Sequence, residues 1–351
     1  MKIDKNILEA IKLISIGEDL PFDIAKNAMD EIMKGEVTHS QFGSFVMGLK
    51  MKSETSTEIA GMATSMREKS LKVELEEPLL DTCGTGGDGL KTFNISTAVA
   101  FVVAGAGVKV AKHGNRAISG SSGSADVLEE LGVKITLSPY SVKKCIENIG
   151  IGFIFAQSFH PAMKFASPLR KEIGIPTVFN LLGPLTNPAG ASNQLIGISN
   201  YEAAEKVAEA LKILGTKNSL VVNGHNNLDE ISIEGNTTIW QVSENKVKRR
   251  KTRISDFGLP ESSISNLIIG SVSESADTIK RVFSGEGSDS LDTSNIASRR
   301  NAVLINTAAA LVATGKAESF NNATEMAKTS IDSGSAQSKL LELIDASNKM
   351  D

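Results

Sequence analysis

The chain has 351 residues, of which 41% are hydrophobic and 22% charged, and 37 Lys plus Arg face 41 Asp plus Glu for a formal charge of −4. Those values are expected of a soluble globular protein, either one large domain with a companion or two ordinary domains, and exclude a chain disordered throughout. The negative balance argues against a protein whose main work is gripping nucleic acid, so any handling of phosphate belongs to a local site.

The first 70 residues predict helices. Ile7, Ile11, Leu13 and Ile14 fall near a 3.6-residue period. Thr38 with Gln41, and Thr55 with Glu58, have capping-box spacing. Acids among the apolar residues of MKIDKNILEAIKLI, with no small-residue cleavage site after them, argue against a signal peptide. A methionine face (Met47, Met51, Met62, Met66) reads as core or subunit contact. The segment SLKVELEEPLL at 70–80 reads as a linker.

From about residue 80, short apolar runs alternate with helical stretches. The runs are VKVAKHG (108–114), GVKI (132–135), IGFIFA (151–156), NQLIGIS (193–199) and NSLVVNG (218–224). This alternation predicts an α/β domain on a largely parallel central sheet flanked by helices, beside the small all-helical domain. Ligands of such sheets bind outside the carboxyl ends of the strands. The apolar stretch 98–108 contains two glycines and falls short of the roughly 20 residues that span a bilayer. Residues 166–190, punctuated by proline and glycine, interrupt the alternation and read as a crossing between domains, which with the linker would form a hinge. The boundaries expected are 1–70 helical, with a contribution from about 165–185, and 71–351 α/β. The basic run KVKRRKTR (246–253) reads as a solvated loop or hairpin edge. Cys83 and Cys145 make neither a disulfide framework nor a metal cluster, and the chain reads as cytoplasmic.

Three loops carry chemistry. GTGGDG at 84–89 leaves a predicted strand and precedes a helix expected near Ser96. Its glycines permit positive φ, successive amides form an anion-binding nest, and the helix N-terminus adds partial positive charge. Asn94, Ser96 and Thr97 add side-chain donors. The string fits neither the P-loop nor the GxGxxG spacing. Asp88 makes sense there as an acceptor of loop amides or as a neighbour of a divalent cation. KHGNRAISGSSGSAD at 112–126 is a second donor-rich loop, with Lys112, Arg116, Asn115 and several serines. Two such loops point to a ligand with more than one phosphate. Asp229 and Glu230, in NGHNNLDEIS, follow a further strand, and two carboxylates in a loop can both reach Mg²⁺ completed by phosphates, water and the Ser96 hydroxyl.

These motifs, with FAQ..HPAM.....R and FN.LGPLTNPA, closely resemble the anthranilate phosphoribosyltransferases over nearly the whole chain. The resemblance implies transfer of phosphoribose from 5-phosphoribosyl 1-diphosphate (PRPP) to the anthranilate amine in tryptophan biosynthesis. It puts Gly84, Gly87, Asp88, Thr92, Asn94, Ile95, Ser96 and Thr97 on the donor. Lys112, His113, Gly114, Asn115, Arg116, Ala117, Ile118, Ser119, Gly120 and Ser124 would close its other side. Gly84, Asn115 and Arg170 would contact anthranilate, with His113, His160 and Met163 lining its approach. Ser96, Asp229 and Glu230 would bind two Mg²⁺ ions per subunit, and the family is a homodimer through its helical domain.

Two departures stand out. Cys83 occupies a variable position, read as a buried small residue, and Asn227 stands where glycine is frequent. The competing readings are a pyrimidine nucleoside phosphorylase, without use for the acidic pair or Arg170, and a non-catalytic nucleic-acid-binding relative centred on 246–253.

Overall fold

The computed structural model describes residues 6–117, 122–244, 246–289 and 294–350. Four helices open the chain: α1 (Asn6–Ser15), α2 (Phe22–Lys34), α3 (His39–Lys52) and α4 (Ser56–Lys69). Both capping boxes form, Thr38 with Gln41 and Thr55 with Glu58. The Glu58 carboxylate is wholly buried, also accepts the Leu20 amide at 2.7 Å and pairs with Lys52 at 3.1 Å, so one side chain fixes the entry to two helices. Helices α2 and α4 pack so closely that a Cβ on Gly61 would meet the Phe22 carbonyl oxygen at 2.5 Å. The methionine face divides: Met62 and Met66 are core, Met47 is half-buried and Met51 is exposed.

The strands are β1 (Leu80–Gly84), β2 (Val110–Gly114), β3 (Ile151–Phe155), β4 (Asn193–Gly197), β5 (Asn218–Asn223), β6 (Thr237–Ser243) and β7 (Lys246–Thr252). They form one sheet in the order β3-β2-β1-β4-β5-β6-β7, the first five parallel and β6 and β7 antiparallel. One expectation fails. GVKI at 132–135 is not a strand, because the Lys134 amide donates to the Ser347 hydroxyl rather than to a neighbouring strand, although Val133 and Ile135 are buried. The basic run forms the outer edge strand β7, where charge discourages pairing with another chain.

Helices cover both faces: α5 (Ile95–Gly105), α6 (Ser124–Glu130), α7 (Pro139–Ile149), α8 (Ala156–Phe159), α9 (Ser167–Ile173), α10 (Phe179–Leu182), α11 (Tyr201–Ile213), α12 (Val272–Phe283), α13 (Asn295–Ala313), α14 (Phe320–Asp332) and α15 (Ser335–Lys349). The apolar stretch after the glycine loop is α5, hydrophobic all round because it is buried all round, against β1, α13, α14 and α15. No helix among the described residues is long and apolar enough to cross a membrane.

Two buried clusters result. One fills the sheet face under α5 and α13. The other joins the four-helix unit to the opposite face, through Ile196, Val221 and Trp240 of the sheet and Val207 of α11. Ala166, Leu169, Phe179, Leu182 and Leu185 of the crossing segment belong to this second cluster. The chain runs outward from β1 to β3 and then returns through that segment to β4 on the other side of β1. The strand order therefore reverses between β1 and β4, the switch point outside whose carboxyl ends sheets of this kind form their ligand crevice.

Candidate active site

The glycine loop leaves β1 at that crevice. Gly86, Gly87 and Gly89 have φ of 63°, 76° and 74°, and a Cβ on any of them would meet nothing within 4 Å. These glycines serve backbone conformation and an open approach rather than packing. Gly84 and Gly197, neighbours across β1 and β4, are glycine for the opposite reason. A Cβ on Gly84 would lie 2.4 Å from Asp229 Oδ2, and one on Gly197 would lie 1.5 Å from the Asp229 carbonyl oxygen. The loop after β5 thus seats Asp229 across two bare strand ends. Its Oδ2 accepts the Gly86 amide at 2.7 Å.

Asp88, Asp229 and Glu230 gather here. Asp88 accepts the Leu90 amide at 3.0 Å, the loop-amide role expected of it. Burial and then the Asp88 charge push the Asp229 carboxyl up to about 7. Burial and then the Asp229 charge raise Glu230 well above the usual range, opposed by Lys112 and the Ser96 amide. Burying like charges together is costly without a cation. Among the described residues no three His, Cys, Asp or Glu side chains form a complete ion site. Such an incomplete acidic cluster fits Mg²⁺, which keeps water and takes phosphate oxygens. Asn226 and Asn227 take φ of 56° and 61° in the turn before the pair, a conformation asparagine tolerates, so the departure from glycine is accommodated.

Residues 94–97 start α5. Ile95 and Thr97 are buried, so the half-buried Asn94 and Ser96 are the side chains left towards the crevice. Asn94 joins three segments: its Oδ1 accepts from Ser122 and Ser275 at 2.7 Å each, and its amide nitrogen donates to the Ser122 carbonyl at 3.1 Å. Thr92 pairs with Ile268 in an isolated bridge that pins the loop's end. After β2, Asn115 accepts from Gln157 of the α8 segment at 3.3 Å, and its carbonyl accepts the Ala125 amide at 3.1 Å. Gly114 is forced by Ser124, whose Oγ would stand 2.1 Å from a Cβ there. Arg116 is exposed and paired with Asp126 at 3.0 Å and with Glu129, and Ala117 donates its amide to Asp126 at 3.0 Å. Ile118, Ser119 and Gly120 lie outside the described residues. Lys112 turns inward, 2% exposed, donating to the Thr82 carbonyl at 2.5 Å and the Ser96 hydroxyl at 3.3 Å.

The residues expected to meet the acceptor are two neutral rings and one guanidinium. His113 and His160 face each other, Nε2 to Nε2, at 3.2 Å. Burial pushes His113 down to about 3 and His160 to about 4, aided by His160 and Lys112 for the first and Lys72 for the second. Both rings are therefore uncharged near neutrality. Arg170 stacks over the Phe179 ring at 5.1 Å, and no acid pairs with it among the described residues. Glu172, its nearest candidate partner in sequence, instead approaches His39 at 3.9 Å. Burial alone lowers Arg170 from its usual range. A desolvated guanidinium without a carboxylate is matched to a carboxylate-bearing ligand. Met163, in the turn between His160 and α9, is packed against the helical cluster.

Residues 8–70 match the helical bundle domain of a glycosyl transferase family, and residues 76–337 match its α/β domain. The chain is 48% identical over 343 residues to the anthranilate phosphoribosyltransferase of Herpetosiphon aurantiacus, covering 97% of this chain and 99% of that one. It is 45% identical over 346 residues to that of Dehalococcoides mccartyi, covering 98% and 99%. The chain belongs to the anthranilate phosphoribosyltransferase family. The solved enzyme of Thermus thermophilus superposes with a TM-score of 0.89 at 38% identity, covering 97% of this chain and 99% of that one. The Saccharomyces cerevisiae enzyme in complex with PRPP and Mg gives 0.89 at 29% identity, covering 99% of each.

Some residues that build this family member's site carried no signal in the sequence. Ser199, after β4, donates its hydroxyl to the Gly86 carbonyl at 2.9 Å and its amide to Thr85 Oγ1 at 3.2 Å, closing the base of the glycine loop. Gly197 and Ser275 were likewise hidden, since a lone glycine or serine has no pattern until its neighbour is known. Cys83 is half-buried, not fully buried as expected, because it lies at the open end of β1.

Proposed function

We propose that this chain uses the crevice at the β1 and β4 carboxyl ends to transfer phosphoribose from PRPP to the amine of anthranilate. The observation that carries the reading is the meeting of bare loop amides at Gly86, Gly87 and Gly89 with Asp88, Asp229 and Glu230. Amides and acids together suit a ligand whose phosphates arrive with magnesium. Ser96, Asp229 and Glu230 would hold that magnesium, two ions per subunit in this proposal. When bound, it supplies positive charge to the diphosphate.

The chain's own work is positional. Loop amides and the start of α5 face the departing diphosphate. The Arg170 fork orients the acceptor carboxylate, with Asn115, His113, His160 and Met163 along the approach. The acceptor nitrogen bonds to ribose C1 as the C1–O bond to diphosphate breaks, and the nitrogen then loses one proton. An aromatic amine has a free lone pair at neutral pH, so the step needs orientation more than a strong base. Closure of the helical unit on the α/β domain would exclude water from C1. The proposal also includes a homodimer through the helical domain and a cytoplasmic location.

The test is loss of anthranilate fluorescence on mixing protein, PRPP, anthranilate and Mg²⁺. Mg²⁺-dependent loss supports the reading. Its absence, or phosphate-dependent cleavage of a pyrimidine nucleoside in its place, overturns it.

A further inference from the structure

Strand β1 is paired unequally. Towards β4 it runs in register over five residues, Leu80 with Asn193 through Gly84 with Gly197. Towards β2 one pair forms, Leu80 with Val110, and Leu80 donates its amide to the Lys109 carbonyl at 2.9 Å. Continuing that register would set Thr82 opposite Lys112, with the Thr82 amide on the Ala111 carbonyl and the Thr82 carbonyl on the His113 amide. That rung is open, and three side chains occupy three of its four backbone groups, all but the Thr82 amide. The His113 amide donates to Asp81 Oδ1 at 3.1 Å. The Ala111 carbonyl accepts from Asn187 Nδ2 at 2.8 Å. The Thr82 carbonyl accepts from Lys112 Nζ at 2.5 Å. Asn187 Nδ2 also donates to Asp81 Oδ2 at 2.8 Å, and Asn187 Oδ1 accepts the Ala189 amide at 2.9 Å, so Asp81 and Asn187 form a bonded pair, while Lys112 meets the same rung through the Thr82 carbonyl. Asp81, Lys112 and Asn187 are 0%, 2% and 3% exposed.

We infer that Asp81 and Asn187 are positioning residues that hold β1 and β2 one rung apart, and so set the width of the cleft from which the glycine loop and the Lys112 loop emerge. Buried backbone groups do not stay unpaired at low cost, so without these side chains the strands would close on each other or admit water. Closure would draw the two donor-binding loops together. Closure would also put the His113 amide on the Thr82 carbonyl in place of Lys112, which now reaches the Ser96 hydroxyl from below. Asn187 comes from the crossing segment and locks that segment to the opened rung through the same amide. The inference rests on the reading of this crevice as the PRPP site, and it concerns residues outside the donor contacts.

Asp81→Asn is nearly isosteric but replaces one acceptor oxygen by a donor, which must face either the His113 amide or the Asn187 amide. Direct titration of PRPP with Mg²⁺, by calorimetry well below the melting temperature, should show a rise in Kd of about tenfold or more, the size of one lost charged hydrogen bond. The KM for anthranilate should stay within about twofold, an effect inside the range of ordinary remote substitutions. Asn187→Ser, which leaves room for a bridging water, should give a smaller shift in the same direction and serves if Asp81→Asn does not fold. Val142→Ala, a cavity in α7 away from the crevice, supplies a destabilised control whose Kd for PRPP should not move. If wild-type protein fails to bind PRPP, the site reading falls. If wild type binds and whichever of the two variants folds binds equally well, or the control shifts as much, the positioning role is overturned.

Discussion

The acidic cluster at the sheet's carboxyl end and the Arg170 segment proposed to flank it solve opposite electrostatic problems. On one side Asp229 and Glu230 are crowded with Asp88, and Asp229 is pushed up to about 7. On the other, Arg170 is desolvated over Phe179 with no acidic partner among the described residues, and His113 and His160 are kept uncharged. Each side is deficient in the charge that its proposed ligand brings: magnesium with phosphate for the acids, a carboxylate for the guanidinium. The difference teaches that a site for two substrates can be preorganised as two unmatched halves, provided the fold bears the desolvation.

Breaking the scaffold under the acidic side should have the largest effect. Gly197→Ala drives a Cβ into the Asp229 backbone, where a rigid carbonyl cannot give way. The expected cost is about 3 kcal/mol or more in denaturant unfolding, with loss of turnover, at the high end for overpacking. A fully active variant of unchanged stability would contradict this geometry. Removing charge from the acids comes next. Asp229→Asn should raise the Mg²⁺ concentration for half-maximal rate by at least about tenfold, in line with losses at metal-site residues. An unchanged metal titration would remove Asp229 from that role.

On the cationic flank, Arg170→Ala should raise the KM for anthranilate by about tenfold to a hundredfold, as for a lost charged hydrogen bond, and that for PRPP far less. Equal effects on both would show that the two halves are not separate. The histidine pair sharpens the comparison through pH. Both folded pKa values lie below the ordinary 6.5, so the unfolded chain binds more protons between about 3 and 6.5. Stability then rises with pH through that window and is lost as pH falls, by about 1.4 kcal/mol per unit for each proton at most. His160→Asn should flatten the slope of unfolding free energy against pH between 4 and 6, and an unaltered slope would place the acid sensitivity elsewhere. The smallest effect is expected far from both halves. Reversing Lys246, Lys248 and Lys251 on the exposed edge strand to Glu should leave both KM values within about twofold. A large change would reopen a role for the basic run.

The glycine loop, the second donor-rich loop and the acidic pair were legible because each follows an apolar run, and parallel strands put those ends on one edge. The capping boxes were legible because they are local hydrogen bonds spaced by three residues. GVKI misled because a short apolar run has the same pattern whether it pairs with a strand or lies under a helix, as it does beside α15. Ser199 and Gly197 were silent because their roles come from partners distant in sequence.

What the sequence by itself determined is the helical start, the alternating α/β remainder, and which loops gather glycines, hydroxyls and charges, since these follow from period, φ freedom and formal charge. Only the tertiary structure decided that β1 and β2 part after one pair, that Lys112 points beneath the site, and that Asp229 fills the space over two glycines. Those features depend on groups as distant in sequence as Gly84 and Asp229 meeting at one strand end, where burial fixes what each charge and hydrogen bond must do.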